Sequence, residues 1–186
     1  MLRLSKPSDS EIDRILSESQ NADLSYSPVG ATRRSTPAGY RVDHYERRLG
    51  SEADRFERAI DALRMWQGHI GAGVRVFPIG ATVEADSTVV FVVRTMGLWA
   101  IAPCRVVYVD AQPLEYRFAY GTLPGHPERG EVAMTITQDG ADVVARIESF
   151  SRTVDTLARA AAPITRSVQR RVTAQYLEAL ASASAS

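Results

Sequence analysis

The sequence contains very little cysteine and lysine, and its charges cancel. Cys104 is the only cysteine and Lys6 the only lysine, so an internal disulfide and a zinc site built from several thiolates are both excluded. Basic and acidic residues number 22 each, which leaves no overall positive field to attract nucleic acid. No stretch approaches the roughly 20 apolar residues that a membrane helix needs, and the first residues lack the apolar core of a signal peptide. We therefore expect a cytoplasmic protein with no transmembrane segment and no nucleic-acid partner.

Motifs that would identify a common enzyme class are also missing. The chain has no phosphate-binding glycine loop, no nucleophile elbow and no zinc motif, so we expect neither a metal nor a cofactor. Its 186 residues are 45% hydrophobic and 24% charged, as in an ordinary globular protein. This length suits one domain, or one domain with an appended segment.

The first 23 residues are predicted to form a helical extension outside the main domain. Ser8 and Glu11 have the spacing of a capping box, and a short helix follows to about Gln20. The main domain is expected to span residues 24–181. The last residues, 182–186, are small and polar, and we expect them to be frayed or disordered.

The main domain opens with one strand and one helix. The strand is predicted over Gly39–Glu46, where side chains of two kinds alternate, and Leu49-Gly50 ends it. The helix begins at Ser51, which forms a capping-box pattern with Asp54. Apolar residues then recur at helical spacing as far as Trp66. Three glycines are predicted to close the helix and turn the chain into the sheet, namely Gly68, Gly71 and Gly73.

Six further strands have the pattern of an antiparallel meander with one buried face. They are predicted at Val74–Thr82, Thr88–Thr95, Leu98–Val109, Leu114–Tyr120, Glu131–Gln138 and Asp142–Phe150. In the fifth of them Val132, Met134 and Ile136 share one face, and threonines occupy the other. Asp139-Gly140 before the last strand is a strong hairpin signal.

A long helix is predicted from Leu157 to about Ala181, because apolar residues recur there every three or four positions. Pro163 either kinks this helix or marks its true start. The opposite side is predicted to be a solvated face, with a weak contact to an anionic surface as the alternative. Its arginines are Arg159, Arg166, Arg170 and Arg171.

Together these elements predict an α+β helix-grip fold, in which a curved antiparallel seven-stranded sheet wraps around the long C-terminal helix. One helix cannot fill the concave face of such a sheet, so we expect a cavity between the two. Cavities of this kind are mostly apolar and carry a few polar groups.

Four stretches of the chain carry a family resemblance. They are Val29–Arg33, Pro103–Tyr108, Tyr120–Glu131 and Gln169–Tyr176. The chain resembles, from about residue 24 to its end, the family called domain of unknown function nineteen-ninety. That family is similar to the START-like helix-grip superfamily of polyketide cyclases and lipid-transport proteins. The resemblance implies the fold that the element order predicts, and it implies no established activity.

The most specific of these stretches packs His126, Glu128 and Glu131 into six residues. Pro127 favours an extended backbone at His126, so His126 and Glu128 are expected to point to the same side. Three roles are open for the group: a metal site of histidine and carboxylates, an acid–base pair that acts near neutral pH, or a structural turn. In the turn, the carboxylates would cap backbone N–H groups or pair with arginine, and we favour this interpretation.

Arg105 is flanked by apolar residues on a predicted interior strand, and a buried guanidinium needs a partner. We favour an internal pair with Glu128 or Glu131 over a bond to a carboxylate ligand. Cys104 has no evident base beside it and is interpreted as a small core residue. His69, beside the glycines that follow the first long helix, is predicted to be a surface or capping residue.

We expect the cavity to bind an apolar or amphipathic small molecule that is lipid-like or polyketide-like. The predicted ligand-binding residues are Arg105, Tyr120, His126, Glu128, Glu131, Trp66, Tyr116 and Phe118. The first alternative is a cyclase- or hydrolase-like enzyme, in which His126 and Glu128 act as acid and base and Tyr120 lies within their reach. The second alternative is a structural or partner-binding protein without a ligand.

Overall fold

The computed structural model describes residues 1–34, 36–95, 97–153 and 162–185, and within 162–171 it describes the backbone alone. The strands are β1 Leu2–Arg3, β2 Arg41–Gly50, β3 Arg75–Phe77, β4 Thr88–Thr95, β5 Leu98–Gln112, β6 Glu115–Thr122, β7 Glu128–Asp139 and β8 Asp142–Thr153. The α-helices are α1 Asp9–Ser19, α2 Arg55–Arg64, α3 Gln67–Gly71 and α4 Ala162–Ala183. A 3-10 helix covers Ala31–Arg33. This element order confirms the predicted α+β class.

Seven strands form one antiparallel sheet in the order β2-β8-β7-β6-β5-β4-β3, and β1 pairs with β5 outside this path. The predicted hairpin joins β7 to β8, where Asp139 pairs with Asp142 across a two-residue turn. The concave face of this curved sheet is covered by α4, whose buried Leu180 belongs to the main core. The predicted helix-grip arrangement is therefore confirmed.

The two faces of the sheet bury different residues. Met134 and Ile136 of β7 and Phe118 of β6 point to the concave face and join the main core with residues of α2 and α4. Ala133 of β7 belongs to a small separate cluster on the convex face. Ile12 of α1 packs in another cluster on that side. Helix α1 therefore covers part of the convex face with its narrow apolar stripe.

Several strands have bounds that differ from the prediction, and β2 and β3 show two physical reasons for such differences. β2 continues beyond Glu46 to Gly50, because its pairing with β8 persists through a register shift near the end. β3 contains only Arg75–Phe77. Pro78 follows it and has no backbone N–H to donate to a neighbouring strand, so the predicted extension to Thr82 is wrong.

The two predicted helix caps have different outcomes. Ser8 caps α1 as predicted, since its hydroxyl accepts the N–H of Glu11 at 3.2 Å. The cap predicted at Ser51 is wrong, because α2 begins at Arg55. Glu52 instead accepts the N–H of Ser51 at 3.1 Å and pairs with the guanidinium of Arg55 at 2.8 Å. The chain is thus held in a turn before the helix begins.

The predicted helix divides at Trp66, whose backbone is left-handed with a φ of 57°. Helix α3 follows directly, so Gly68 and Gly71 lie within a helix rather than in a closing loop. These glycines allow α3 and α4 to approach closely. A Cβ on Gly68 would lie 3.0 Å from the carbonyl oxygen of Tyr176, and one on Gly71 would lie 2.6 Å from the Cβ of Ala179.

Helix α4 covers Ala162–Ala183, so Pro163 lies in its first turn, where proline is tolerated. The predicted helical segment 157–161 lies outside the described residues. So do Arg159 and the side chains of Arg166, Arg170 and Arg171, which were predicted to form the arginine face.

The end of the chain packs against α2. Ser184 is fully buried, and its carbonyl accepts a hydrogen bond from Arg58 at 2.9 Å. The hydroxyl of Ser184 lies 3.3 Å from the guanidinium of Arg55. These contacts hold Ser184 against α2, within the segment 182–186 that the sequence predicts to be frayed.

Candidate functional site

A cavity of about 200 Å³ lies between the concave face of the sheet and α4. The polar residues that line it, within the described part of the chain, are Arg41, Asp43, Glu128, Ser149, Ser151 and Thr173. The apolar and aromatic residues that line it are Tyr45, Tyr120, Val132, Met134, Ile147, Val172 and Tyr176. The helix-grip fold predicts a cavity in this place, and its lining is amphipathic.

The pairing of β2 with β8 places polar lining residues next to one another at one end of the cavity. Arg41 is opposite Ser151, and Asp43 is opposite Ser149, where β2 pairs with β8. The Nε of Arg41 lies 2.7 Å from a carboxylate oxygen of Asp43. Their side chains are 30% and 27% exposed, so this end of the cavity reaches solvent.

The next row of side chains along the strands is apolar. Tyr45 is opposite Ile147, which in turn is opposite Met134. Ile147 and Met134 are buried, at 3% and 1% exposure. Because a strand advances about 3.4 Å per residue and alternate residues share a face, this row lies roughly 7 Å from the row of Asp43. The cavity therefore changes from polar to apolar over that distance.

The wall formed by β6 contributes Tyr120, whose hydroxyl lies 3.2 Å from Nε2 of His69. His69 is 1% exposed, stacks on Phe91 with ring centroids 5.0 Å apart, and lies 4.4 Å from the ring of Tyr176. Burial lowers the pKa of His69 to about 3 and raises the pKa of Tyr120 well above its usual value. Both groups are therefore neutral at pH 7 and share a hydrogen bond at the cavity wall.

The prediction that His69 is a surface or capping residue is wrong. The left-handed turn at Trp66 starts a new helix, and this helix carries His69 into the core behind Tyr120. The sequence held one signal for this arrangement. Gly68 and Gly71 have an i, i+3 spacing, which places them on one face of a helix and allows close packing there.

The predicted ligand-binding residues separate into those that line the cavity and those that do not. Tyr120 and Glu128 line it. Trp66, Tyr116 and Phe118 lie in the main core on the same side of the sheet, at 1%, 6% and 0% exposure. These three aromatic side chains fill space beside the cavity and are not part of its lining.

His126 lies next to the cavity-lining Glu128 in sequence but serves the turn before β7. Its Nδ1 lies 2.9 Å from both the backbone N–H and the carbonyl oxygen of Glu128, and its backbone N–H donates to the carbonyl of Leu123 at 3.1 Å. Burial lowers the pKa of His126 to about 4, so the imidazole is neutral at pH 7 and able to accept. These contacts match the structural turn among the three roles considered. They do not bring His126 together with Tyr120 as a catalytic group.

Glu131 lies on the convex face, because it alternates with Val132, and only 1% of it is exposed. Its carboxylate accepts the Tyr26 hydroxyl at 2.5 Å and the N–H groups of Gly30 and Thr32 at 2.7 and 3.0 Å. The hydroxyl of Thr32 donates to it as well. Glu131 therefore fixes the segment before β2 to the convex face, on the side of the sheet opposite the cavity.

Arg105 also lies on the convex face, whereas the next residue, Val106, faces the main core. Its guanidinium donates to three carbonyls at the end of α1, at distances of 2.8, 2.9 and 3.0 Å. Those carbonyls belong to Ser19, Gln20 and Ala22. Arginine is well suited to bind carbonyls at a helix C-terminus. The predicted pairing with Glu128 or Glu131 is wrong, and Arg105 points away from the cavity.

Other parts of the molecule were candidates for a reactive thiol, a metal site or a membrane-spanning helix. Cys104 is fully buried in the main core, and burial raises the pKa of its thiol. Across the described ranges, no three His, Cys, Asp or Glu side chains cluster closely enough to hold a metal ion. No helix among the described residues is long and apolar enough to cross a membrane.

Sequence comparison identifies the family to which the chain belongs. The profile described as Domain of unknown function (DUF1990) matches residues 25–179. The chain belongs to this family. A UPF0548 protein from Deinococcus radiodurans is 30% identical over 192 aligned residues, which cover 97% of each chain. The resemblance noted in the motif residues is therefore confirmed.

Solved structures place this DUF1990 chain among helix-grip proteins. A hypothetical protein from Helicobacter pylori is 12% identical with a TM-score of 0.61, covering 88% of this chain and 99% of its own. Norcoclaurine synthase from Thalictrum flavum, in complex with dopamine and hydroxybenzaldehyde, is 10% identical with a TM-score of 0.51, covering 77% and 85%. A START superfamily protein from Mycobacterium smegmatis is 12% identical with a TM-score of 0.50, covering 78% and 94%. At these identities the likeness concerns the fold alone.

The motif that carries the DUF1990 resemblance contributes to both faces of the sheet. Tyr120 and Glu128 line the cavity, whereas Glu131 holds the convex segment. Gly130 between them has a φ of 156°, and a Cβ there would lie 1.9 Å from the carbonyl oxygen of Phe150. Glycine is therefore needed at this position for β7 to pair with β8.

Proposed function

We propose that this protein binds an apolar or amphipathic small molecule in the cavity between the sheet and α4. The observation that carries the proposal is the two-part lining, in which buried Ile147 and Met134 lie beside polar Ser149. Protein interiors are close-packed, and natural ligand sites combine apolar walls with a few polar groups. From the predicted residues, we propose Tyr120 and Glu128 as ligand contacts.

Proteins of similar fold support this proposal without naming the ligand. The norcoclaurine synthase was solved with two small molecules, dopamine and hydroxybenzaldehyde. One fold hosts many chemistries, so this likeness supports the presence of a binding cavity and does not transfer the reaction.

The contacts of His126 do not favour the enzyme alternative. A general base must lie within hydrogen-bond reach of the proton that it removes from a bound substrate. His126 is not among the described residues that line the cavity, and its Nδ1 accepts the N–H of Glu128. Binding without an acid–base step by His126 is therefore the function that we propose.

A cavity-filling substitution tests the proposal. Val132 lines the cavity, and in Val132→Phe the added ring would occupy the space that a ligand needs. The matched control is Val42→Phe, because Val42 is 54% exposed on the other face of β2. Each protein is purified gently and examined by native mass spectrometry, and any released small molecule is identified after denaturing extraction.

We expect the wild-type protein and the Val42→Phe variant to carry a small molecule that Val132→Phe has lost. Thermal unfolding of all three proteins verifies that the cavity variant is folded. Equal retention of the compound by Val132→Phe would contradict the proposed site. A ligand-free mass for the wild-type protein, both as purified and after incubation with a lipid and small-molecule extract of the host cells, would contradict the proposed function.

A further inference from the structure

Two serine hydroxyls lie at the polar end of the cavity. Within the described part of the chain, the side chains of Ser149 and Ser151 make no hydrogen bond, although both line the cavity. By contrast, the hydroxyl of Ser25 lies 2.7 Å from that of Thr122, and the hydroxyl of Ser184 donates to the carbonyl of Ala181. A serine hydroxyl both donates and accepts. The two cavity serines are therefore available to a ligand that does the same.

The size of the cavity restricts the ligand that it can enclose. A dry cavity of about 150 Å³ is large enough to bind benzene, whereas sites for drug-sized molecules measure about 300–1,000 Å³. The cavity of about 200 Å³ between the sheet and α4 lies just above the first value. A single six-membered ring with a small substituent fits this volume.

The layout of the lining gives the orientation of such a ring. Ile147 and Met134 form the apolar row, and Ser149 belongs to the neighbouring row on the same face of the sheet. The two rows are roughly 7 Å apart, which is close to the length of a substituted ring. A ring in contact with Met134 therefore directs a substituent at its far end toward Ser149, and Ser151 lies one row farther along β8.

The charges at the polar end favour a neutral substituent. Arg41 and Asp43 form an ion pair at 2.7 Å, so their charges offset each other. A carboxylate on the ligand would have to compete with Asp43 for Arg41, and it would lie close to the Asp43 carboxylate, where like charges repel. A hydroxyl substituent avoids this repulsion and complements the serine hydroxyls.

We propose that the ligand of this cavity is a phenol or benzylic alcohol with a single ring, whose hydroxyl is bound by Ser149. This inference rests on the proposed function and narrows it. A long-chain lipid, which is also apolar or amphipathic, satisfies the proposed function but not this inference.

The experiment compares ligands that differ by one group. Isothermal titration calorimetry measures the binding of p-cresol, toluene, p-toluate and palmitate to the wild-type protein. We expect p-cresol to bind about tenfold more tightly than toluene, because a neutral hydrogen bond is worth roughly that factor in affinity. We also expect p-toluate and palmitate to bind more weakly than p-cresol.

A pair of variants assigns the effect to the two serines. In Ser149→Ala/Ser151→Ala, the preference for p-cresol over toluene is expected to fall close to one. The matched control is Thr135→Ala, which removes a buried hydroxyl from the opposite face of β7 and should keep the full preference. Toluene binding serves as the internal test that the cavity of each variant is intact.

Each contrary result has a separate meaning. Tight binding of palmitate without binding of p-cresol would overturn the inference and leave the proposed function standing. Equal binding of p-cresol and toluene, or an unchanged preference in the double serine variant, would also overturn the inference. Failure of all four compounds to bind the wild-type protein would overturn it as well, and the ligand extraction described above would then decide whether the proposed function survives.

Discussion

The convex and concave faces of the central sheet use their polar side chains in different ways. On the convex face, the Glu131 carboxylate accepts hydrogen bonds from Tyr26, Gly30 and Thr32 and is almost completely buried. On the concave face, the hydroxyls of Ser149 and Ser151 have no hydrogen-bond partner among the described residues. The Glu131 carboxylate therefore holds the chain together on the convex face. The hydroxyls of Ser149 and Ser151 on the concave face have no such structural role among the described residues.

The largest expected effect is on the convex face. Glu131→Ala would leave the donors of Tyr26, Gly30 and Thr32 without their acceptor in a buried site, and we expect it to lower the free energy of unfolding by about 3–5 kcal/mol. The control is Glu46→Ala, which breaks an ion pair between Glu46, whose side chain is 50% exposed, and Arg146. Exposed pairs contribute about 0–1 kcal/mol. Urea denaturation measures both changes, and a similar loss in the two variants would contradict the anchoring role of Glu131.

An intermediate effect is expected from the concave face at acidic pH. Burial lowers the pKa of His69 to about 3, below its ordinary value of 6.5, so protons bind the unfolded state in preference to the folded state. The stability that neutral His69 provides is therefore complete above about pH 6.5 and is lost as the pH falls toward 3. Because one pKa unit corresponds to about 1.4 kcal/mol, the wild-type protein should lose about 2 kcal/mol through His69 between pH 7 and 5.

The variant His69→Phe lacks the pH-dependent stability that His69 contributes. Its free energy of unfolding should therefore fall less steeply over the same pH range. His44→Phe is the control, because the side chain of His44 is 52% exposed, and it should follow the wild-type curve. His126 contributes in the same direction in all three proteins and cancels in the comparison. Urea denaturation at several pH values provides the curves, and parallel curves for His69→Phe and the wild-type protein would show that His69 is not buried as described.

The smallest expected effect concerns the attachment of α1 to the convex face. Arg105→Ala removes the donors to the carbonyls that end α1, and we expect a loss of about 1 kcal/mol. Arg94→Ala, on an exposed position of β4, is the control. Hydrogen exchange should become faster in α1 of the Arg105 variant while β7 stays protected. Ligand affinity should not change, and a change in it would contradict the separation of the two faces.

The sequence predicts the strands well because alternation is a local property. The pattern of Val132, Met134 and Ile136 identified the buried face of β7, and that face is the concave one. Glu131 is one residue before Val132, so the same alternation places it on the other side of the sheet. Its absence from the cavity lining was therefore predictable from the sequence. Arg105 is one residue before the core residue Val106, so alternation places Arg105 on the convex face in the same way.

Other parts of the site depend on contacts that local patterns do not contain. The partners of Arg105 belong to α1, and nothing in the sequence states where that helix docks. In β2, the residues that face the cavity are Arg41 and Asp43, whereas apolar Val42 is 54% exposed. Hydrophobicity alone would assign the opposite face. The positions of Ser149 and Ser151 in the lining follow from strand pairing, which only the assembled sheet defines.

The close contact between α3 and α4 has a consequence for which molecules the cavity admits. Tyr176 forms part of the cavity wall, and its carbonyl oxygen lies where a Cβ on Gly68 would be only 3.0 Å away. A guest that is too wide would have to separate two helix backbones that are already in contact. On this side, we expect recognition by complementarity of shape rather than by induced fit. We therefore expect the proposed ligand to be limited to rings of the existing width.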